Sequence, residues 1–155
     1  MKLSIVAVGT KMPKWVQQGY EEYAKRLPRE LTPHLVELAV ANRGKNANIE
    51  KLKQQESEQI LSSLPRQGRV VALDVLGKKI STEQLAKKMA DWQMVGDDVS
   101  IVIGGPDGLS RECLNHADEK WSLSDMTLPH PLVRIVLIEQ LYRAWSILQN
   151  HPYHK

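Results

Sequence analysis

The chain has 155 residues, of which 42% are hydrophobic and 25% charged, the balance of an ordinary globular domain able to bury a core. A formal net charge of +3 permits a nucleic-acid partner without demanding one. The single cysteine, Cys113, excludes an internal disulfide and a cysteine-based zinc cluster, which points to a reducing compartment. The first apolar run, Lys2–Val8 closed by Gly9, is too short for the core of a signal peptide and has the composition of a strand buried in a sheet. No stretch approaches the ~20 apolar residues that span a bilayer, so the expectation is a soluble, cytoplasmic protein.

Pro13 suits the first turn of a helix from Trp15 to about Leu27, which Pro28 ends. Leu35–Val40 is a second expected strand, followed by the basic loop Asn42-Arg43-Gly44-Lys45-Asn46. Asn46 can cap a helix from Ala47 to about Leu64, with Pro65 and Gly68 beyond it. Arg69–Leu73 is a third strand, followed by Asp74 and a turn at Gly77. Ser81-Thr82-Glu83-Gln84 has the form of a capping box opening a helix to about Met94. Val99–Ile103 is a fourth strand running into Gly104-Gly105-Pro106-Asp107-Gly108, and Ser110 caps a short helix to about Ala117. Lys120–Leu123 is the fifth, with Trp121 and Leu123 facing a packed side and Ser122 and Ser124 a polar one. Strands alternating with helices predict one α/β domain over 1–155 with a largely parallel sheet.

The last quarter is the least ordinary. Leu128-Pro129-His130-Pro131 makes a stiff, non-helical entry to a helix over Leu132–Gln149, and Asn150-His151-Pro152-Tyr153-His154-Lys155 forms a tail. On a helical projection Leu137, Ile138, Leu141, Tyr142, Ala144, Trp145 and Leu148 cover more than half the circumference, with Glu139, Gln140, Arg143 and Ser146 crowded into a strip. An arc that wide suggests burial against a sheet and a second subunit, or a central helix within one chain. Arg134 sits inside the arc, in a first turn where a cation opposes the helix dipole. Such a residue is expected to have a specific anionic or carbonyl partner; the alternative is snorkelling to solvent. His130 is suited to general-base or hydrogen-bonding duty, or to a structural bond with nearby backbone.

Several chemistries lose their main support. Dinucleotide, P-loop, serine-hydrolase and zincin motifs are missing, as is C-x-x-C. His151 and His154 have a usable metal spacing, but Pro152 intervenes and no third ligand is near, so no metal is expected. The glycine-rich segment after the fourth strand lies where open α/β sheets bind ligands, and Leu73-Asp74 shares that edge. It is equally compatible with a plain strand-to-helix turn. Arg43, Lys45, Lys11 and Lys14 form a candidate phosphate-contacting surface.

Ile103–Leu109, Trp121–Ser124, Leu128–Arg134, Leu141–Ser146 and Asn150–His154, with Val6–Lys11 and Arg43–Asn46, together resemble the ribosomal large subunit methyltransferase H family of the SPOUT superfamily. The resemblance covers the whole chain. It implies a homodimeric, S-adenosylmethionine-dependent enzyme that methylates N3 of a pseudouridine in 23S rRNA of the assembled 70S ribosome. It also implies a C-terminal trefoil knot, which the usual rule against threaded loops would reject. Its cofactor positions carry over to Leu73, Gly104, Leu123, Ser124, Asp125, Met126, Thr127 and Leu128. His130, Arg134, Tyr153 and His154 are assigned to the substrate side and Arg43 and Lys45 to RNA. The competing readings are a SPOUT methyltransferase acting on tRNA and a non-catalytic dimeric RNA-binding or ribosome-assembly module.

Overall fold

Leu3, Ile5 and Ala7 point one way from the first strand and Val6 and Val8 the other, and all five are buried in two separate apolar clusters. A strand apolar at consecutive positions is one covered on both faces, the usual condition of parallel sheets. The computed structural model, which describes residues 1–154, shows the whole sheet built this way. Its five strands are β1 (Leu3–Val8), β2 (His34–Leu38), β3 (Arg69–Lys79), β4 (Val99–Ile103) and β5 (Glu119–Ser122). They lie in the order β2-β1-β4-β3-β5, and every pairing is parallel.

Parallel neighbours need crossovers, and helices supply them. α1 (Lys14–Ala24), α3 (Thr82–Val95) and α5 (His130–Leu148) cover the face bearing Ile5, Val71 and Ile101. α2 (Ile49–Ser63) and α4 (Arg111–His116) cover the face bearing Val6, Ala72 and Val102. Both halves of the expected capping box are formed at Ser81 and Gln84, and Ser110 caps α4 through the amide of Cys113.

Four expectations are corrected. The cap of α2 is Asn48 rather than Asn46; its side chain accepts from the amides of Glu50 and Lys51 at 3.0 and 3.4 Å. β3 does not stop at Leu73, and no turn forms at Gly77: the strand runs on to Lys79, its register against β5 shifting between Leu73 and Lys78, which both pair with Trp121. Ser122 does not face solvent; it is 2% exposed and donates to the carbonyl of Ser124. α5 starts at His130 itself, with Pro129 as its N-cap and Pro131 in the first turn, where a missing N–H costs nothing.

Much of the wide apolar arc of α5 is used within the chain. Leu137, Ile138, Leu141, Tyr142 and Ala144 are buried, and α5 packs against both α1 and α3. Leu132 on α5 and Trp15 on α1 remain 37% and 54% exposed.

Candidate active site

β4, β3 and β5 are neighbours, so the loops leaving their carboxyl ends converge on one edge. They enclose a cleft of about 650 Å³. Leu73, Asp74 and Val75 come from β3, Ile103–Gly108 from β4, and Trp121–Ser124 with Met126–His130 from β5 and the segment leading into α5. Seven of the eight expected cofactor positions line it: Leu73, Gly104, Leu123, Ser124, Met126, Thr127 and Leu128. Asp125 is exposed and instead accepts from Lys79 Nζ at 2.7 Å.

His130 also lines the cleft, opening α5 against the segment that carries those positions. Burial, then the positive charge of Arg134, hold its imidazole below the ordinary value of 6.5, while Glu56 opposes and Arg43 adds to the depression. The ring is therefore neutral at physiological pH and can accept a proton or a hydrogen bond.

Arg134 has the partners its odd position predicts, an anion and a carbonyl together. Nη1 donates to Glu37 Oε2 at 2.5 Å and Nη2 to the carbonyl of Gly9 at 2.7 Å. It is 2% exposed and does not snorkel. Gly9 makes this possible: its φ is +135°, and a Cβ there would come 2.8 Å from Met12 Cε and 3.1 Å from Arg134 Nη2. The same Cβ would lie 3.5 Å from His130 Nε2, so Arg134 and His130 meet at one point of backbone. Arg134 faces a second cavity of about 380 Å³, lined also by Tyr20 and Glu37.

Arg43 and Lys45 part company. Lys45 is exposed, as an RNA-facing lysine would be. Arg43 is turned inward, donating to Glu56 and Asp107, and those bonds raise its already high pKa. Neither Glu56 nor Glu37 was singled out in the sequence. Glu56 did leave a signal, since it lies on the α2 stripe between Leu52 and Ile60. Glu37 left none, being one polar residue in a short edge strand.

Tyr153 and His154 do not join His130 within this chain. The tail folds back on the far half of α5: Tyr153 donates its phenol proton to Glu139 at 2.9 Å, and His154 Nδ1 lies 3.3 Å from Ser146 Oγ. Burial and that bond to Glu139 push the Tyr153 phenol well above its ordinary value. Burial alone would raise the Glu139 carboxyl, but bonds from Arg143 and Tyr153 outweigh it and hold it low. The polar strip on α5 is thus the seat of the tail. From His130 to Ser146 is 16 residues, or about 24 Å along a helix rising ~1.5 Å per residue.

Over residues 1–154 the chain matches the family model described as "Predicted SPOUT methyltransferase". The chain belongs to the SPOUT methyltransferase family. A methyltransferase of this family transfers a methyl group from a donor, and the cleft at the β4–β3–β5 edge is the pocket suited to hold one. Two similar proteins are each named "Ribosomal RNA large subunit methyltransferase H". One, from Teredinibacter turnerae, is 65% identical over all of both chains. The other, from Saccharophagus degradans, is 64% identical, again over all of both. Among solved structures, a probable methylase family protein from Haemophilus influenzae aligns with a TM-score of 0.53. It covers 99% of this chain and 70% of its own at 15% identity, a likeness of fold alone.

Proposed function

We propose that this SPOUT methyltransferase works in the cytoplasm as a homodimer, uses S-adenosylmethionine, and methylates N3 of a pseudouridine in 23S rRNA of the assembled 70S ribosome. The observation that carries the reading is the shared cleft, in which a neutral His130 faces the same space as Leu73, Gly104 and the segment after β5. Its fit to the donor is supported by size and lining: about 650 Å³, walled by apolar side chains and glycines, with Asp74 and Asp107 as its acidic groups. When bound, S-adenosylmethionine supplies an already activated methyl group, so the protein's own task is alignment and removal of one proton. His130 accepts the imide proton of the base, directly or through water, on a ring nitrogen that burial keeps free of its own. Arg134 holds the Gly9 backbone beside that histidine. Lys45 meets phosphate, and the names of the full-length relatives support ribosomal RNA as its source.

The distance along α5 favours a tail from a second subunit, placing its Tyr153 and His154 on the substrate side of the first. Exposed Trp15 and Leu132 give such a pairing an apolar surface. The loop Leu123–Leu128 and α5 are, in the same reading, the threaded part of a trefoil knot.

The test is methyl transfer to ribosomes with and without the pseudouridine, to deproteinised 23S rRNA and to tRNA. Only the pseudouridine-bearing ribosome should be modified. Methylation of tRNA would replace the proposed substrate. Failure to bind S-adenosylmethionine by calorimetry, with ribosomes present, would leave a non-catalytic RNA-binding module. Deleting residues 151–155 should abolish single-turnover methylation while the protein stays folded.

A further inference from the structure

Beneath the cleft lies an ion-pair network that the reaction as described does not use. Glu56 is 2% exposed on α2, and a Cβ built on Gly105 would come within 3.0 Å of its Oε1. The carboxylate therefore sits directly under the Gly104–Gly108 loop. Arg43 enters from the loop between β2 and α2 and spends all three nitrogens. Nη1 donates to Glu56 Oε2 at 2.9 Å and to the carbonyl of Ala41 at 2.8 Å. Nε and Nη2 both donate to Asp107 Oδ2, at 3.0 and 2.8 Å. Asp107 belongs to the cleft wall. One planar fork thus spans a buried acid below and a rim acid above, which a lysine's single ammonium cannot reproduce. Glu56 Oε2 also accepts the amide of Ala41 at 3.0 Å, so the basic loop is fixed in the same knot of bonds.

We infer that Arg43 is a positioning residue for the methyl-donor cleft: by clamping Asp107 to the buried Glu56 it fixes the Gly104–Gly108 loop, instead of lending its charge to RNA. The inference rests on the reading of that cleft given above. It divides the basic loop into two duties one residue apart, with Arg43 turned to the donor pocket and Lys45 to solvent.

The experiment is calorimetry with S-adenosylmethionine, followed by methyl transfer to 70S ribosomes. The variants are Arg43→Lys, Asp107→Asn and the pair Arg43→Gln/Glu56→Gln, which removes both charges so that no carboxylate is left buried alone. Each should bind S-adenosylmethionine about tenfold more weakly, the scale of a lost supporting contact. Asp107→Asn added to the pair should bring no further loss, because one clamp has already been opened. In Arg43→Lys and the neutral pair, KM for the donor should rise while kcat at saturating donor stays within about twofold, a split that general loosening of the fold does not give.

Variants that fold and bind S-adenosylmethionine as the wild type does would overturn the clamp. A salt slope for ribosome binding that falls by about one in the neutral pair, with donor affinity unchanged, would return Arg43 to RNA. Should the neutral pair not fold, Arg43→Lys decides alone: it keeps the charge and the buried pairing and removes the fork. If the wild-type protein binds no S-adenosylmethionine, the reading of the cleft falls and the inference with it.

Discussion

Two arginines anchor buried charge on opposite faces of the sheet, with opposite polarity. On the α2 face the anion is buried and the cation lies nearer the surface: the Glu56 side chain is 2% exposed and Arg43 24%. On the α5 face the cation is buried and the anion is open: Arg134 is 2% exposed and Glu37 38%. The pairs look equivalent as contacts but respond differently to losing the outer partner. Arg43 brings Glu56 a fork also bonded elsewhere, in a setting with little water. Glu37 is wet, so its pull on Arg134 is screened and the Gly9 carbonyl carries more of the work. His130 lies within reach of both clusters and reports on each.

The comparison can be broken most forcefully at Arg43. Arg43→Ala strands Glu56 without its cation and should cost about 3–5 kcal/mol in urea unfolding, the range for a buried charge left unpaired. Glu37→Ala also leaves a buried charge without its counterion, but Arg134 keeps the Gly9 carbonyl, so the cost should be less, about 1.5–3 kcal/mol, the range for one hydrogen bond to a charged group. If the two losses are equal, the distinction between the faces is wrong. Arg134→Met leaves a hydrated acid and a buried Gly9 carbonyl without its donor, and should lower stability by about 1–3 kcal/mol. By contrast, it should slow methyl transfer by roughly a hundredfold through the displaced His130. The imidazole itself offers a finer reading. By NMR His130 should titrate below 6.5 and move upward in Arg134→Met, which removes a like charge. On acidification the unfolded chain takes up this proton first, so the folded state loses stability as pH drops from 6.5 toward the depressed value. Smallest should be Tyr153→Phe, which touches neither cluster and removes one bond to Glu139, costing about 1 kcal/mol or less.

How far the chain could be interpreted from its residues depended on the range of the interaction. Caps, glycines and alternation are local, and they located β4, the capping box at Ser81 and the cap at Ser110 closely. Pairing is not local: nothing in Val99–Ile103 says that it lies between β1 and β3, and the order β2-β1-β4-β3-β5 had to come from the fold. Arg134 stood out because it broke two local rules at once, so a partner could be expected although Glu37 is 97 positions away. Arg43 broke none. A basic residue in a polar loop is what an RNA-facing surface looks like, and only the burial of Glu56 turns it inward. Even there a clue existed, an acid on the apolar stripe of α2, of the same kind as the one that exposed Arg134. Ser122 misled for a different reason: alternation implies a wet face only where nothing covers the second side.

The register shift in β3 has a mechanical consequence. Leu73 and Lys78 both register with Trp121, so the strand meets one partner twice and carries Asp74–Gly77 as a register shift of fixed length within it. Val75 and Leu76 ride on that shift, and Lys79 just beyond it makes an exposed pair at 2.7 Å with Asp125, the neighbour of the cleft-lining Ser124 and Met126. The mouth of the cleft is thus gauged by a count of residues rather than by any one side chain. Removing Leu76, which does not line the cleft, would draw Lys79 back by about 3.3 Å, one strand step, and pull on its partner Asp125 and the segment before α5. Adding one would let both go. Either change would leave every side chain of the cleft in the sequence and still retune its aperture.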